Sequence, residues 1–307
     1  TLVNNDGSFS ITSTELSDNS YSFTVTSTDP AGNTSIASNS QVIEIDTNAP
    51  IKPTITTITS ATNNNTPTLE GTAEVDSIIT LYIDGNNSNI TTITDSNGDF
   101  SITSNELSDN IYLFTVTSTD SAGNISNFSD SFSLTVDTIT PIQPIITTDI
   151  NITNNNVITI EGTAEADSIV TLFINSVSSN ITATTNSEGN FLLTTTELSD
   201  NSYSFTVKSM DSAGNISIES NSQVIEIDTV LPIKPIITTD TNFTNNNTPT
   251  VEGTAEANSL ITLFIDGNNS NITSVTNNDG IFSITSGVLS DNIYLITVTS
   301  TDSAGNI

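Results

Sequence analysis

The chain has 307 residues, which is enough for two to four domains of ordinary size. It carries 35 acidic residues, three lysines and no arginine, and a net charge of −32 argues against nucleic acid and anionic lipid as partners because both bind through Lys and Arg. Cysteine, histidine and tryptophan are absent, which excludes disulfides, thiolate zinc sites and Ser-His-Asp or Cys-His catalytic groups. No stretch is apolar enough to predict membrane insertion.

One segment recurs along the chain at a fixed spacing. Asp120-Ser-Ala-Gly-Asn124 returns 91 residues later at 211–215 and again at 302–306, and a variant with proline stands at 29–33. No insertion or deletion separates the copies. The period is close to the size of one immunoglobulin-like β-sandwich, roughly 100 residues.

Proline-rich junctions mark the predicted domain boundaries. Two prolines stand in four residues at each junction, shortly after an Asp-Thr dipeptide, and prolines stiffen a short connection by fixing φ. The predicted domains are the C-terminal part of a repeat at 1–49, complete repeats at 50–140 and 141–231, and a repeat lacking its last strand at 232–307. We expect the chain to be an excerpt of a longer array; the alternative is that its ends pair between molecules, head to tail.

Within 50–140 the pattern predicts seven short strands separated by turns, with no segment of helical period. Asp84-Gly85 and Asn97-Gly98 are hairpin signals, and the Asn- and Thr-rich segment 61–66 is predicted to be a loop. The predicted strands are Ile51–Thr57, Thr68–Ala73, Ile79–Ile83, Ile90–Thr94, Phe100–Thr103, Ile111–Thr117 and Phe132–Val136. The sequence therefore predicts an all-β fold: tandem Ig-like β-sandwich domains of about seven strands each that form an elongated rod.

A tyrosine enters the sixth strand in every copy, four residues after a serine in a Leu-Ser-Asp-Asn segment. This is the position of the tyrosine corner of Ig-like sandwiches, in which the ring packs inward and the hydroxyl bonds to the backbone. We expect a structural role for these tyrosines and for the aspartates beside them. The residues are Tyr21, Tyr112, Tyr203 and Tyr294, with Asp18, Asp109, Asp200 and Asp291.

Acidic residues are predicted to gather at each junction. In a seven-strand sandwich, the loops after the second and the sixth strand share the pole at which the preceding domain ends. The predicted metal ligands are Asp46, Glu74, Asp76, Asp120 and Asn124 at the first junction, Asp137, Glu165, Asp167 and Asp211 at the second, and Asp228, Glu256 and Asp302 at the third. Asn258 replaces the expected aspartate at the third junction, which is therefore predicted to be the weakest.

Two interpretations of these acidic loops remain open. Converging carboxylates without a nearby Lys or Arg repel one another, and a hard cation with six to eight oxygen ligands removes the repulsion, so Ca²⁺ is the predicted cofactor. In the alternative, the aspartate of each Asp-x-Ala-Gly-Asn segment only accepts hydrogen bonds from the amides of its own turn, and Gly123 supplies a positive φ.

The order and spacing of these motifs resemble the bacterial Ig-like repeats of giant surface adhesins, of the biofilm-associated and repeats-in-toxin types. The matching segments are Thr66–Glu74, Tyr112, Thr119–Asn124 and Val136–Pro141, and the resemblance covers essentially the whole chain. It implies an extracellular extender that holds an adhesive tip away from the cell and binds Ca²⁺ at domain junctions. The chain departs from the family at the first loop, where Asn64-Asn65 stands in place of a frequent Asp-Asp.

The leading hypothesis is therefore a stalk of a surface or secreted adhesin, rigidified by Ca²⁺ and serving cell adhesion and biofilm formation. Its partners would be neighbouring repeats, with the host or biofilm surface contacted by a domain outside this segment. One alternative is an extracellular filament or surface-layer subunit that assembles head to tail. Another is a glycan- or protein-binding module, which would need one copy with aromatic or charged insertions. An enzyme is not expected, because the carboxylates recur at every junction without a nucleophile, base or cleft.

Overall fold

The computed structural model describes residues 1–307, which form 24 β-strands and no helix. The chain divides into two compact units, Thr1–Thr138 (unit 1) and Ile139–Ile307 (unit 2). Unit 1 holds the strands of the first two copies of the repeat, and unit 2 holds those of the third and fourth; the copies are called repeats 1 to 4 in chain order. The predicted all-β fold is confirmed. No helix long and apolar enough to cross a membrane is present.

Unit 1 contains a two-stranded sheet and one complete sandwich. In repeat 1, β1 (Asn19–Phe23) pairs antiparallel with β2 (Gln41–Ile45). Repeat 2 packs a three-stranded sheet of order β3-β5-β8 against a five-stranded sheet of order β4-β10-β9-β6-β7. Its strands are β3 (Thr54–Ile55), β4 (Ala61–Thr62), β5 (Thr68–Thr72), β6 (Ile78–Ile83), β7 (Asn86–Ile93), β8 (Asp99–Thr103), β9 (Asn110–Thr119) and β10 (Phe132–Val136).

Unit 2 holds one sandwich of eight strands and one of six. Repeat 3 has sheets of order β11-β13-β16 and β12-β18-β17-β14-β15, and repeat 4 has sheets of order β19-β20-β23 and β22-β21-β24. The strands of repeat 3 are β11 (Ile145–Ile146), β12 (Ile152–Thr153), β13 (Thr159–Thr163), β14 (Ile169–Ile174), β15 (Val177–Thr184), β16 (Asn190–Thr194), β17 (Asn201–Met210) and β18 (Gln223–Ile227). Those of repeat 4 are β19 (Ile236–Ile237), β20 (Thr250–Thr254), β21 (Leu260–Ile265), β22 (Asn268–Val275), β23 (Ile281–Thr285) and β24 (Ile296–Thr301).

The core of repeat 2 lies between its two sheets and follows the period-2 pattern of the strands. Leu69 of β5, Leu81 of β6 and Phe114 of β9 are fully buried, and burying such a side chain contributes about 1.5–3 kcal/mol. Gly71 also faces inward, and a Cβ at this position would collide with the Phe100 ring and the Thr54 carbonyl. The glycine therefore lets β3 and the aromatic ring close over β5.

Three features of the strand prediction are wrong. The strand predicted over Ile51–Thr57 is only Thr54–Ile55 in the structure. The segment 61–66 is not wholly a loop, because Ala61–Thr62 form β4 and pair in parallel with Thr135 and Val136 of β10. The strand predicted from Ile90 begins at Asn86 instead, because Asp84 (φ 49°) and Gly85 (φ 77°) form a two-residue turn that pairs β7 with β6 at once. The hairpin predicted at this dipeptide is confirmed.

The tyrosine corner is also confirmed. The Tyr112 hydroxyl donates to the backbone oxygen of Ser108 at 3.0 Å, and the Tyr203 hydroxyl donates to that of Ser199 at 3.1 Å. Repeat 1 has the same bond at Tyr21, and in repeat 4 the Tyr294 hydroxyl lies 3.0 Å from Ser290 Oγ. Each bond fixes the corner that precedes the next strand, and β1, β9 and β17 begin at the same place in their repeats, whereas β24 begins four residues later, at Ile296.

Candidate functional site at the repeat junctions

The loop after β9 is a turn built around one carboxylate. Asp120 Oδ1 accepts hydrogen bonds from the backbone nitrogens of Ala122 and Asn124, each at 2.9 Å. Asp120 Oδ2 accepts one from Asn124 Nδ2 at 2.8 Å, and Gly123 has a φ of 94°, which favours glycine. The hydrogen bonding that the alternative interpretation predicts for this aspartate is therefore present.

The asparagine that ends this loop also contacts the preceding repeat. In unit 1, Asn124 Nδ2 donates to the backbone oxygen of Asp46 at 3.1 Å. In unit 2, Asn306 Nδ2 donates to the backbone oxygen of Asp228 at 2.8 Å. A carboxamide nitrogen carries two hydrogens, so it bonds its own loop and the preceding repeat at the same time. The structure thus brings Asp46, Asp120 and Asn124 together, as the strand order predicts. The contact between the two repeats is a hydrogen bond that the Asn124 side chain donates.

Repeats 3 and 4 share a second contact within unit 2. The backbone nitrogen of Asn154, in the loop after β12, donates to the backbone oxygen of Ala304 at 3.1 Å. The Asn-rich loop of repeat 3 and the Asp302 loop of repeat 4 therefore lie against each other. This role of Asn154 could not be predicted from the sequence, because any residue type can donate from its backbone nitrogen.

The aspartates of the Leu-Ser-Asp-Asn segments hold the chain where it leaves each repeat. Asp18 Oδ1 accepts hydrogen bonds from the backbone nitrogen of Thr47 at 3.2 Å and from its Oγ1 at 2.9 Å. Asp200 binds the same two groups of Thr229, at 3.1 and 2.8 Å. Thr47 and Thr229 directly follow Asp46 and Asp228, whose carbonyls accept the junction hydrogen bonds. By binding the threonines, Asp18 and Asp200 position those carbonyls.

The loop that follows β5 and its equivalents in repeats 3 and 4 each contain a residue in the left-handed conformation. Asp76, Asp167 and Asn258 have φ values of 57°, 59° and 62°. Asp and Asn adopt this left-handed conformation more readily than other non-glycine residues. The position selects a backbone conformation, which explains why Asn258 can replace the aspartate. At Glu74, the backbone oxygen accepts hydrogen bonds from the Ser77 and Thr94 hydroxyls, each at 2.7 Å.

The acidic residues of the junctions accept hydrogen bonds from nearby backbone amides. No three Asp or Glu side chains within residues 1–307 form a group that could hold a metal ion. Asp46 Oδ1 and Asp228 Oδ1 accept hydrogen bonds from the backbone nitrogens two residues ahead of them, each at 3.0 Å, and Glu256 Oε2 accepts one from Ile233 N at 3.3 Å. Of the second predicted set, Asp137 lies in unit 1, and Glu165, Asp167 and Asp211 lie in unit 2. Calcium binding stays a prediction of the sequence.

Two serines that were not predicted from the sequence tie together the two segments that flank the Asp120 loop. The hydroxyls of Ser126 and Ser129 accept hydrogen bonds from the backbone nitrogens of Ser118 and Val116 at 2.9 and 3.1 Å. The backbone nitrogens of the same two serines donate to the carbonyls of those residues, each at 2.9 Å. Ser217 and Ser220 repeat the arrangement in repeat 3. The two serines stand three residues apart in both repeats, and this recurring spacing could have indicated their structural role.

The hydrogen bonds in the loop favour the ionised form of its aspartate. The Asn124 side chain is the largest cause that holds the pKa of Asp120 below its ordinary value, and Asn33 does the same for the pKa of Asp29. For Asp302, burial raises the pKa, but the bonds from Asn306, Gly305 and Ala304 together outweigh it and leave the pKa lowered. Ionised carboxylates therefore hold these loops together at neutral pH.

The fold and the junction geometry define a class of protein: tandem Ig-like sandwiches joined through their loops. The sequence matches the family described as "Bacterial Ig-like domain" over residues 1–47, 55–138, 146–229 and 237–307. The chain belongs to this family. Domains of this fold are typically structural modules.

Solved structures of similar fold include adhesin domains. A tetra-tandem repeat in the extending region of a large adhesion protein is 24% identical, with 99% of this chain and 84% of that chain covered and a TM-score of 0.31. The BSP domain of a biofilm associated protein is 17% identical, with coverages of 58% and 30% and a TM-score of 0.25. Fibronectin(III)-like modules of Clostridium thermocellum CbhA are 12% identical, with coverages of 57% and 94% and a TM-score of 0.42. At these identities the likeness is one of fold. None of the curated proteins compared with the chain matches it.

The loop geometry predicts how Asp120 titrates. Because its pKa is lowered in the folded chain, the stabilisation is present above the ordinary Asp value of about 3.9 and is lost as the pH falls through the folded value. The substitution Asn124→Ala removes the largest favourable bond, so we expect the pKa of Asp120 to rise toward the ordinary value. The carboxyl ¹³C shift of Asp120, followed by NMR over an acid titration, measures this directly.

Asn33→Ala is the matched control, because it removes the equivalent bond at Asp29 and should leave the titration of Asp120 unchanged. An Asp120 titration that is the same with and without the Asn124 side chain would contradict the geometry described above.

Proposed function

We propose that the chain is a structural extender in the extracellular part of a bacterial surface adhesin. The observation that carries the proposal is the repeated junction bond, from Asn124 to Asp46 in unit 1 and from Asn306 to Asp228 in unit 2. In both units, the asparagine side chain of the Asp-x-Ala-Gly-Asn loop donates a hydrogen bond to the backbone of the preceding repeat. A chain that is specialised in joining similar modules gains length with every repeat.

The junction chemistry supports a role without catalysis. The carboxylates of Asp120 and Asp302 are occupied by backbone amides and by an asparagine of their own loops. The sequence has no histidine or cysteine that these carboxylates could activate. We propose that the acidic residues serve as turn acceptors, and that the chain is not an enzyme.

Charge supports an exposed location. A net charge of −32 keeps a long surface chain hydrated and disfavours non-specific association with its neighbours. Adhesion and biofilm formation would then depend on a binding domain outside this segment, which the repeats hold away from the cell. The resemblance of the motifs to adhesin repeats supports this part of the proposal.

Small-angle X-ray scattering tests the extender directly. Deleting residues 141–231 removes one whole period and leaves the remaining repeats in register. We expect the maximum dimension to fall by roughly 40 Å, the length of one sandwich with strands of about seven residues and their loops. A chain lengthened by a second copy of 141–231 should gain the same amount.

A compact packing of the repeats would behave differently. Its size scales with a small power of chain length, so the deletion would shorten it by less than about 10 Å. That result, with both chains folded by circular dichroism, would contradict the extender.

Calcium at the junctions is a separate hypothesis, and chelation tests it. We propose that the hydrogen bonds of the junctions hold without a metal, because the oxygens of Asp120 and Asp302 already accept them. We therefore expect the same Tm in excess EDTA as in millimolar Ca²⁺. A fall in Tm on chelation, reversed by added Ca²⁺ and abolished by Asp46→Asn with Asp228→Asn, would instead establish the metal site that the sequence predicts.

A further inference from the structure

The three lysines of the chain occupy two kinds of place in the structure. Lys52 and Lys234 are exposed and lie in the connections between repeats, two residues ahead of β3 and of β19. Lys208 lies in β17, inside the five-stranded sheet of repeat 3. Because the chain has no arginine, these are its only cationic side chains. They are therefore the only residues after which a serine protease with an acidic specificity pocket can cut.

Both exposed lysines are followed by proline. The bonds are Lys52-Pro53 and Lys234-Pro235. In serine-protease catalysis, a histidine gives a proton to the nitrogen that leaves the broken bond. In a Lys-Pro bond this nitrogen belongs to the pyrrolidine ring, which obstructs the approach of the protease. Exposed connections are where proteases usually cut a folded chain, and here the prolines close both of them to this class of enzyme.

The third lysine is followed by serine, and the fold covers this bond. Lys208 lies opposite Thr171 of β14 in the ladder, and Ser209 is fully buried. The Ser209 backbone nitrogen, which belongs to the Lys208–Ser209 bond, donates to Ser217 Oγ at 2.9 Å, and the Ser209 carbonyl accepts from the Ser217 nitrogen at 2.9 Å. A serine protease takes its substrate as an extended strand in its own cleft. The bond is therefore a substrate only after β17 has left both β14 and the Ser217 segment.

Repeat 3 also holds the Lys208 side chain on its sheet. Lys208 Nζ lies 5.5 Å from the centre of the Phe173 ring and 4.0 Å from Glu219 Oε2. Thr206 Oγ1 donates to Glu219 Oε1 at 2.5 Å and so fixes the carboxylate. The ammonium group that a protease would bind is thus engaged within the repeat. The other three repeats have threonine at this position, so the fold does not require a lysine there; these residues are Thr26, Thr117 and Thr299.

We propose that Lys208–Ser209 is a cryptic cleavage site, which a lysine-specific serine protease cuts only when the sheet of repeat 3 opens. Hydrolysis adds one water across the bond and leaves a carboxylate on Lys208 and an amine on Ser209. The cut separates most of β17 from β18, its neighbour in the sheet. The folded chain resists this class of protease, and a chain opened by force or heat is cut once, at a fixed place. The proposal does not depend on the extender function.

Trypsin digestion of the full chain, followed by mass spectrometry, tests the site. In urea that unfolds the chain and leaves the protease active, we expect one cut, with the products 1–208 and 209–307. The native chain should be cut at least about a thousand-fold more slowly, because a stable domain is open for only a small fraction of the time. Lys208→Thr, which introduces the residue of the other repeats, should stay uncut in both states.

A matched pair of core variants tests whether the opening of repeat 3 controls the cut. Leu172 in repeat 3 and Leu81 in repeat 2 are equivalent and fully buried. Leu172→Ala leaves a cavity in the core of repeat 3 and should speed the native cut at Lys208 at least about ten-fold. Leu81→Ala should leave its rate unchanged. The milder Ile225→Val keeps repeat 3 folded and should speed the same cut by a smaller factor.

An exposed lysine without a following proline is the positive control. Asn245→Lys places one in an irregular, exposed segment of repeat 4, ahead of Asn246, and the native chain should then be cut between positions 245 and 246. The proposal is overturned if the wild-type chain is cut after Lys52 or Lys234, or if native and unfolded chains are cut after Lys208 at the same rate. It is equally overturned if Leu81→Ala speeds this cut as much as Leu172→Ala does.

Discussion

The junctions between these repeats depend on one carboxamide nitrogen that donates in two directions. Within its own loop, the asparagine of Asp-x-Ala-Gly-Asn bonds the aspartate that shapes the turn, and across the junction it bonds a carbonyl of the preceding repeat. The carboxylate therefore acts on the junction indirectly, by orienting the donor. A shift of one residue in either partner would separate donor and acceptor, which gives a physical reason for a period without insertions or deletions.

The acceptor is held as firmly as the donor. The carbonyl of Asp228 precedes Thr229, whose backbone nitrogen and hydroxyl are both bound by Asp200 at the tyrosine corner. A motif that belongs to the interior of the Ig-like fold thus also fixes the end of the repeat. Because Asp200 binds Thr229, the folded repeat holds the Asp228 carbonyl in position to accept the hydrogen bond from the next repeat.

Much of the fold was predictable because its signals are local. Alternating apolar residues define the strands, Asp84-Gly85 defines a hairpin, and the position of Tyr112 defines the corner. β4 was not predictable, since Ala61 and Thr62 join the sheet through backbone bonds to a strand more than seventy residues away. The use of the acidic loops was equally hidden. An aspartate that caps a turn and one that binds Ca²⁺ occupy the same positions in sequence, and only atomic geometry separates them. Asn258 illustrates this, because its left-handed φ is one that Asp and Asn both adopt readily.

The central claim is that the asparagine bond holds consecutive repeats in a fixed relation, and repeats 3 and 4 of unit 2 offer the most direct test. Residual dipolar couplings, measured in excess EDTA so that no metal contributes, report whether the two repeats share one alignment tensor. The account predicts a common tensor for the wild-type chain and for Asn245→Ala, an exposed position in repeat 4. It predicts separate tensors for Asn306→Ala, which removes the bond to Asp228 and leaves only the backbone bond from Asn154 to Ala304 between the two loops. A common tensor that survives the loss of Asn306 would contradict it.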